Sequence, residues 1–485
     1  MVAGRPMRVS SLALLALPFA AIVANCSSMP ASPASDAGAD SATPADTTHP
    51  MSIAGSTQRS GDPTKGYDAL VNEGYVGCGM PWTAWSKAFA SAPESQRLPG
   101  RRGHSEQLAY NVTAFKTPAG VEVVSPNCLS CHAAMLQGKL VVGLGNTDQD
   151  YTNDPAANAS LAMFFLTEQA EKDELNKFVG RLKAVAPYTR TETIGVNPAD
   201  NVAAVLFAHR DRKTLAWSDT PLLALPPKVV VPVDVPPWWR MSKKNAMFYT
   251  AAGRGDHGRI MTAASTLCVD SVDIARSIDA YFGDVRAYVA SIKPPKYPFA
   301  IDEALAAKGR NVFGYNCSRC HGTYGDAPSY PNLLLPIADV GTDPALASGA
   351  AQFAGEYVTW FNESFFGETS NLRSENGYYA PPLDGIWATA PFLHNGSVPT
   401  IAALLESNTR PKYWTRTFDS SDYNAVALGW NFTALENGQD AEPDPAKRIR
   451  IYDTTKLGYA ATGHTFGDAL SAGDRTAVIE YLKTL

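Results

Sequence analysis

The pentapeptide Cys-x-x-Cys-His occurs twice in this chain, as Cys128-Leu-Ser-Cys131-His132 and as Cys317-Ser-Arg-Cys320-His321. Its spacing is the attachment signature of c-type haem. Two thiols add to the two vinyl groups of one porphyrin, and the next histidine reaches the iron as its proximal ligand. Two copies predict two covalently held haems, with His132 and His321 as the proximal iron ligands.

The other cysteines follow from the compartment. Arg5 and Arg8 precede a short apolar stretch, Leu12 to Ala24, which reads as a signal peptide over residues 1–25. The stretch is too short to span a bilayer. It ends at Val23-Ala24-Asn25-Cys26, which resembles a bacterial lipoprotein processing site, with Asn25 where Gly or Ala is usual. Cys26 is therefore the expected lipidation site, and ordinary cleavage nearby is the alternative. Either route leads to an oxidising compartment: the periplasm, the outer membrane or secretion. That leaves Cys78 and Cys268, an even number, and predicts a disulfide between them, against two buried free thiols.

The formal charge is -6, and no dense basic run appears, so nucleic acid is not an expected partner. No apolar run of spanning length follows the signal, which leaves a lipid anchor as the expected membrane contact. No long heptad appears, so a monomer or weak dimer is expected.

Residues 26–60 are rich in Ser, Ala, Pro, Asp and Thr and read as a disordered tether. The remainder divides into two haem-bearing halves, 61–297 and 298–485. Helices are expected over Asp273 to Ile292, stopped by Lys293-Pro294-Pro295, over Glu303 to Gly314, and over Ala472 to Leu485. A helix entering each haem motif and a closing helix resemble the cytochrome c fold. The expected class is mainly α: two cytochrome c-like domains, each with one haem. The first carries long loop-rich insertions, of the size that builds pockets or interfaces.

The sixth iron ligand separates electron carriers from sites that bind oxygen or peroxide. The last methionine is Met261, so no methionine from 298–485 can cap the second haem. His464 lies in a Gly-flanked loop, Gly463-His464-Thr465-Phe466-Gly467, and is the expected distal ligand. His394 is the alternative, read more readily as a structural histidine near the haem. The first half offers His104, His209, His257 and several methionines, none in a distal-loop context. The first haem is therefore expected to lack a strong permanent sixth ligand. His257, in Gly255-Asp256-His257-Gly258-Arg259, is a candidate proton-handling group or part of a surface ion-pair loop. Trp238 and Trp239 are candidates for an aromatic bridge between the haems or for interface packing.

Ala388-Thr389-Ala390-Pro391-Phe392-Leu393-His394-Asn395-Gly396 downstream of the second motif resembles the bacterial di-haem cytochrome c peroxidases and their relatives. The longer run from Pro382 to Trp387 and on through Ser397-Val398-Pro399-Thr400 is similar to the rubber oxygenase branch, as are Ser125-Pro126-Asn127-Cys128 and Gly463-His464. The resemblance implies a first haem held by His132 alone and able to carry oxygen. It implies a second haem held by His321 and His464, with Trp239 or Trp238 between them. It also brings a calcium ion between the domains as an expected cofactor, although no oxygen-ligand loop stands out. The peroxidases usually place a methionine about fourteen residues after the His394 position, and here that residue is Asn408. The expected function is that of an exported di-haem redox enzyme. Dioxygen or peroxide would react at the first haem, and an electron-donor or acceptor protein would exchange electrons through the second. The alternatives are a di-haem electron carrier without substrate chemistry and a sensory haem lipoprotein that binds a ligand reversibly.

Overall fold

Each half is closed by a pair of crossed helices, and glycine lets them cross. In the computed structural model, which describes residues 49–485, the main helices are α1 (Pro63–Asn72), α2 (Gln169–Val185), α3 (His257–Thr262), α4 (Val272–Ser291), α5 (Glu303–Asn316), α6 (Ala345–Glu363) and α7 (Ala472–Leu482). Helix α1 packs along α4, and α5 packs along α7. A Cβ on Gly66 would fall 1.9 Å from the Asp284 carbonyl oxygen, and one on Gly309 would fall 1.8 Å from that of Ala477. The two crossings are thus built alike, each with a glycine of the leading helix against the backbone of the closing helix. Side-chain caps set the helix starts: Asp302 accepts from Leu305 N at 2.9 Å, and Ser471 from Asp474 N at 3.2 Å.

The expectation of a mainly α molecule is overturned. The described residues are 41% helical with 13% strand, a mixed fold with several small sheets. The described strands include β1 (Met51–Ser52), β2 (Met80–Pro81), β3 (Val112–Lys116), β4 (Glu122–Pro126), β5 (Ala133–Leu136), β6 (Lys139–Val142), β7 (Leu333–Pro336) and β8 (Gly377–Tyr379). They form antiparallel sheets in the orders β2-β4-β3 and β1-β7-β8, with a β5-β6 hairpin directly after the first haem motif. These strands are too short to leave an alternating pattern readable against their surroundings. Much of the first half's insertion also precedes its motif: α1 ends at Asn72, and Cys128 follows only after the β2-β4-β3 sheet.

The last part of the expected tether, Met51 to Arg59, is docked on the fold. Met51 and Ser52 pair with Leu334 and Leu333, Ile53 is buried, and Arg59 forms ion pairs with Asp256 and Asp279. This segment is polar in composition but finds its partners far away in the chain.

The two halves lend residues to each other's cores. One core gathers Leu129, Ala133, Trp238, Phe282 and Val285, and takes Trp360, Phe361 and Phe366 from the second half. The other gathers Phe313, Trp387, Phe392 and Val478, and takes Ala134, Leu136 and Trp239 from the first. Cys78 and Cys268 are joined by a disulfide, with Cα atoms 5.6 Å apart across 190 residues.

Candidate haem centres

The second motif opens on a cavity. Cys317, Cys320 and His321 line it, with apolar walls from Phe313, Leu335, Phe392, Ile401 and Val478. His464 lines the same cavity and faces His321, with ring centroids 6.1 Å apart. Metal–imidazole bonds of about 2 Å on each side of one metal, plus the reach of each ring, require about this spacing. His321 Nδ1 lies 2.8 Å from the Pro381 carbonyl oxygen. A carbonyl only accepts, so Nδ1 carries the hydrogen and Nε2 is left with a free lone pair. Burial, with a smaller contribution from His321, holds His464 down at about 4, so it is neutral and able to ligate.

The loop carrying His464 is held under strain. His464 has φ 46, in the left-handed region that non-glycine residues seldom occupy. Its N–H donates to the Val340 carbonyl at 2.6 Å. The Arg410 guanidinium donates to the carbonyls of Ala461 and Gly463 at 2.7 Å and of His464 at 3.1 Å. Arg410 also donates to the Ala403 and Leu404 carbonyls at 3.2 and 3.0 Å, and so ties the loop to the chain more than fifty residues before it, which no local sequence pattern marks. His394 also lines the cavity, but its ring stacks on Tyr378 at 4.1 Å. Burial pushes it down to about 3.

The first motif is built differently. Cys128 N donates to the Tyr75 hydroxyl at 2.9 Å, and burial pushes the Cys128 thiol up to about 11. Cys131 Sγ is 3.3 Å from Asn197 Nδ2 and 3.5 Å from the Tyr151 hydroxyl. The His132 ring stacks on Trp238, with centroids 4.7 Å apart and planes 21° apart. Its Nδ1 is buried without a partner, and burial lowers its pKa to about 4. Among the described residues no histidine ring pairs with His132. His104 stacks on Trp82, and His209 stacks on Trp217.

One 3-10 turn, Trp238–Lys243, joins the two centres. Trp238 lies on His132 in the first core, Trp239 enters the second core, and Arg240 lines the second cavity. Trp239 Nε1 donates to the Asp384 carbonyl at 2.8 Å, Arg240 Nε donates to the same oxygen at 3.1 Å, and Lys243 pairs with the Asp384 carboxylate at 2.7 Å. The partners of Arg240, Asp384 and Thr389, lie more than 140 residues away, so its role leaves no local sequence pattern.

His257 is not in a surface loop. It is 1% exposed at the start of α3, with both ring nitrogens unpartnered, and burial lowers its pKa to about 4. Cys26 and the signal segment lie outside the described residues. Among those residues no group of three or more His, Cys, Asp or Glu side chains is placed to hold a metal ion, and no helix is long and apolar enough to cross a membrane.

Comparison with known proteins bears on the wall of this second cavity. Residues 377–415 match the RoxA-like, cytochrome c-like family. The matched stretch contains Tyr378, Tyr379, Pro391, His394 and Ile401, all cavity-lining. The chain is thus similar to a RoxA-like cytochrome c over this segment, which with the Cys-x-x-Cys-His motifs suggests a c-type cytochrome. It is 26% identical to the uncharacterised protein y4iM of Sinorhizobium fredii, over 53% of this chain and 62% of that protein. It is 30% identical to the uncharacterised protein y4iJ of the same organism, over 46% of each. The chain thus spans only part of either relative's length.

Proposed function

We propose that this chain is an exported di-haem redox enzyme of the RoxA-like kind, in which dioxygen or peroxide reacts at the first haem and electrons pass through the second. The observation that carries this reading is the asymmetry of the two centres. His321 is faced by His464 across its cavity, whereas His132 has its ring face stacked on Trp238 and pairs with no histidine ring among the described residues. Haem iron supplies one-electron chemistry and, where a face is open, a place for a small oxidant.

The chain's own residues supply the rest. Cys128 and Cys131 anchor one porphyrin, and Cys317 and Cys320 the other. His321, oriented by Pro381, and His464, held by Arg410, saturate the second centre and confine it to electron transfer. Trp238 and Trp239 provide consecutive aromatic rings between the centres. An electron-exchanging protein is the expected partner, and Cys26 is the expected point of membrane attachment.

A carrier without substrate chemistry would need a cap on the first iron. Met261 would supply it, since it lies in the core cluster that contains Leu129, Ala133 and Trp238. The discriminating experiment adds hydrogen peroxide or dioxygen to the partly reduced protein and follows visible absorption. A change in the first haem's bands alone supports the enzyme. Spectra indifferent to both oxidants contradict it and leave the carrier.

A further inference from the structure

Arg240 is a buried cation on the wall of the second cavity, and among the described residues no carboxylate pairs with it. It is 6% exposed. Its Nε donates to the Asp384 carbonyl at 3.1 Å and its Nη2 to the Thr389 hydroxyl at 3.3 Å, both neutral groups. The Asp384 carboxylate is taken by Lys243, at 2.7 and 2.8 Å to its two oxygens. The one carboxyl among the residues lining the cavity is Asp234, which accepts from the Tyr249 hydroxyl at 3.1 Å. Burial, partly offset by Tyr249 and Arg240, pushes this carboxyl up to about 8, so it is uncharged at pH 7. A buried guanidinium left this way is costly unless an anion joins it.

The cavity itself indicates which anion. Thioether bonds to Cys317 and Cys320 would hold one edge of a porphyrin at the motif, and its two propionates leave from the opposite edge. Arg319, the other arginine lining the cavity, is exposed and belongs to the motif, so it marks the thioether edge. Leu335, Phe392, Ile401 and Val478 of the wall offer a carboxylate nothing. Arg240 is brought to the same wall from the first half, on the Trp238–Lys243 turn. The flat guanidinium fork suits a carboxylate. We propose that Arg240 is a carboxylate-binding residue and that it takes a propionate of the second porphyrin. That propionate then lies beside Trp239, because Trp239 Nε1 and Arg240 Nε share the Asp384 carbonyl. This rests on the reading of the second cavity as a haem site.

The test is spectroelectrochemistry of the haem-loaded protein, with haem counted per chain and the propionate carboxyls labelled with carbon-13. Arg240→Gln removes a positive charge beside the second haem, which is told apart by its low-spin bands. It should shift that haem's oxidised-to-reduced ratio about tenfold towards the oxidised form, a fall of about 59 mV for a one-electron couple. Arg240→Lys should restore the potential, yet move the labelled carboxylate band in the infrared difference spectrum of second-haem reduction, because a point charge replaces the fork. A shifted potential with the labelled band unmoved in both variants would mean that the charge acts through space, and would overturn the contact. Two haems per chain with an unmoved second potential in Arg240→Gln would overturn this site alone. Added acetate should leave the unmodified protein's potentials unchanged, because the site is already filled. A saturable shift on adding acetate would assign the site to a free anion and overturn the proposal, even if a variant fails to fold. An unmodified protein without the low-spin haem would overturn the second centre itself.

Discussion

His464 is the residue on which the second centre turns. A left-handed φ on a non-glycine residue costs free energy and persists only where neighbours fix it, and Arg410 is the neighbour that does so. Replacing His464 with Ala should open one face of the second haem and convert its low-spin EPR signal to high-spin. Arg410→Gln should give a mixture of both spin states while costing about 2–3 kcal/mol, since bonds from a charged donor are lost together. Retention of a fully low-spin second haem in His464→Ala would exclude His464 as its ligand. His394 carries a separate consequence. Its pKa falls from 6.5 in the unfolded chain to about 3 in the fold, so below 6.5 the unfolded chain binds the extra proton. Stability should therefore drop as pH falls through this window, by about 1.4 kcal/mol per unit from this residue. Urea midpoints at about pH 7 and pH 5 should lie closer together in His394→Gln than in the unmodified protein.

At the scale of elements, the Trp238–Lys243 turn and the disulfide do different work. Trp239→Phe keeps an aromatic ring but loses the hydrogen bond to Asp384. It should slow electron exchange between the centres, read by flash reduction of one haem, at a stability cost of about 1 kcal/mol. The Cys78–Cys268 bond ties the segment just before β2 to the loop before α4, across 190 residues. Replacing both cysteines with Ala should cost about 2–5 kcal/mol in guanidinium unfolding. Both features show where the sequence was legible. The haem motifs, the closing helices and the Gly-flanked His464 loop are written in consecutive residues. Helix α4 is found at Val272–Ser291 against an expected Asp273 to Ile292, and α7 at Ala472–Leu482 against an expected end at Leu485. Arg410, Arg240 and Tyr75 act on groups distant in the chain, and the two- to five-residue strands borrow their pairing from elsewhere. Neither leaves a local pattern. The docking of Met51 to Arg59 was hidden for the same reason, since its polar composition matched that of a tether.

For the whole molecule, the two glycine-mediated helix crossings, Gly66 on Asp284 and Gly309 on Ala477, repeat one scheme around two haem motifs. The halves then diverge in what faces the proximal histidine, and they exchange core residues so that neither closes alone. Trp238 and Trp239, like Ala133 and Ala134, place consecutive residues of the chain in the two cores. The central claim is therefore one of inequality: two haems, one held by two histidines and one by a single histidine. It is tested most directly by EPR of the oxidised, haem-quantified protein. The account predicts two covalent haems per chain, with one low-spin signal lost in His464→Ala and one high-spin signal unaffected by it. Two low-spin signals, or a single haem per chain, would contradict it.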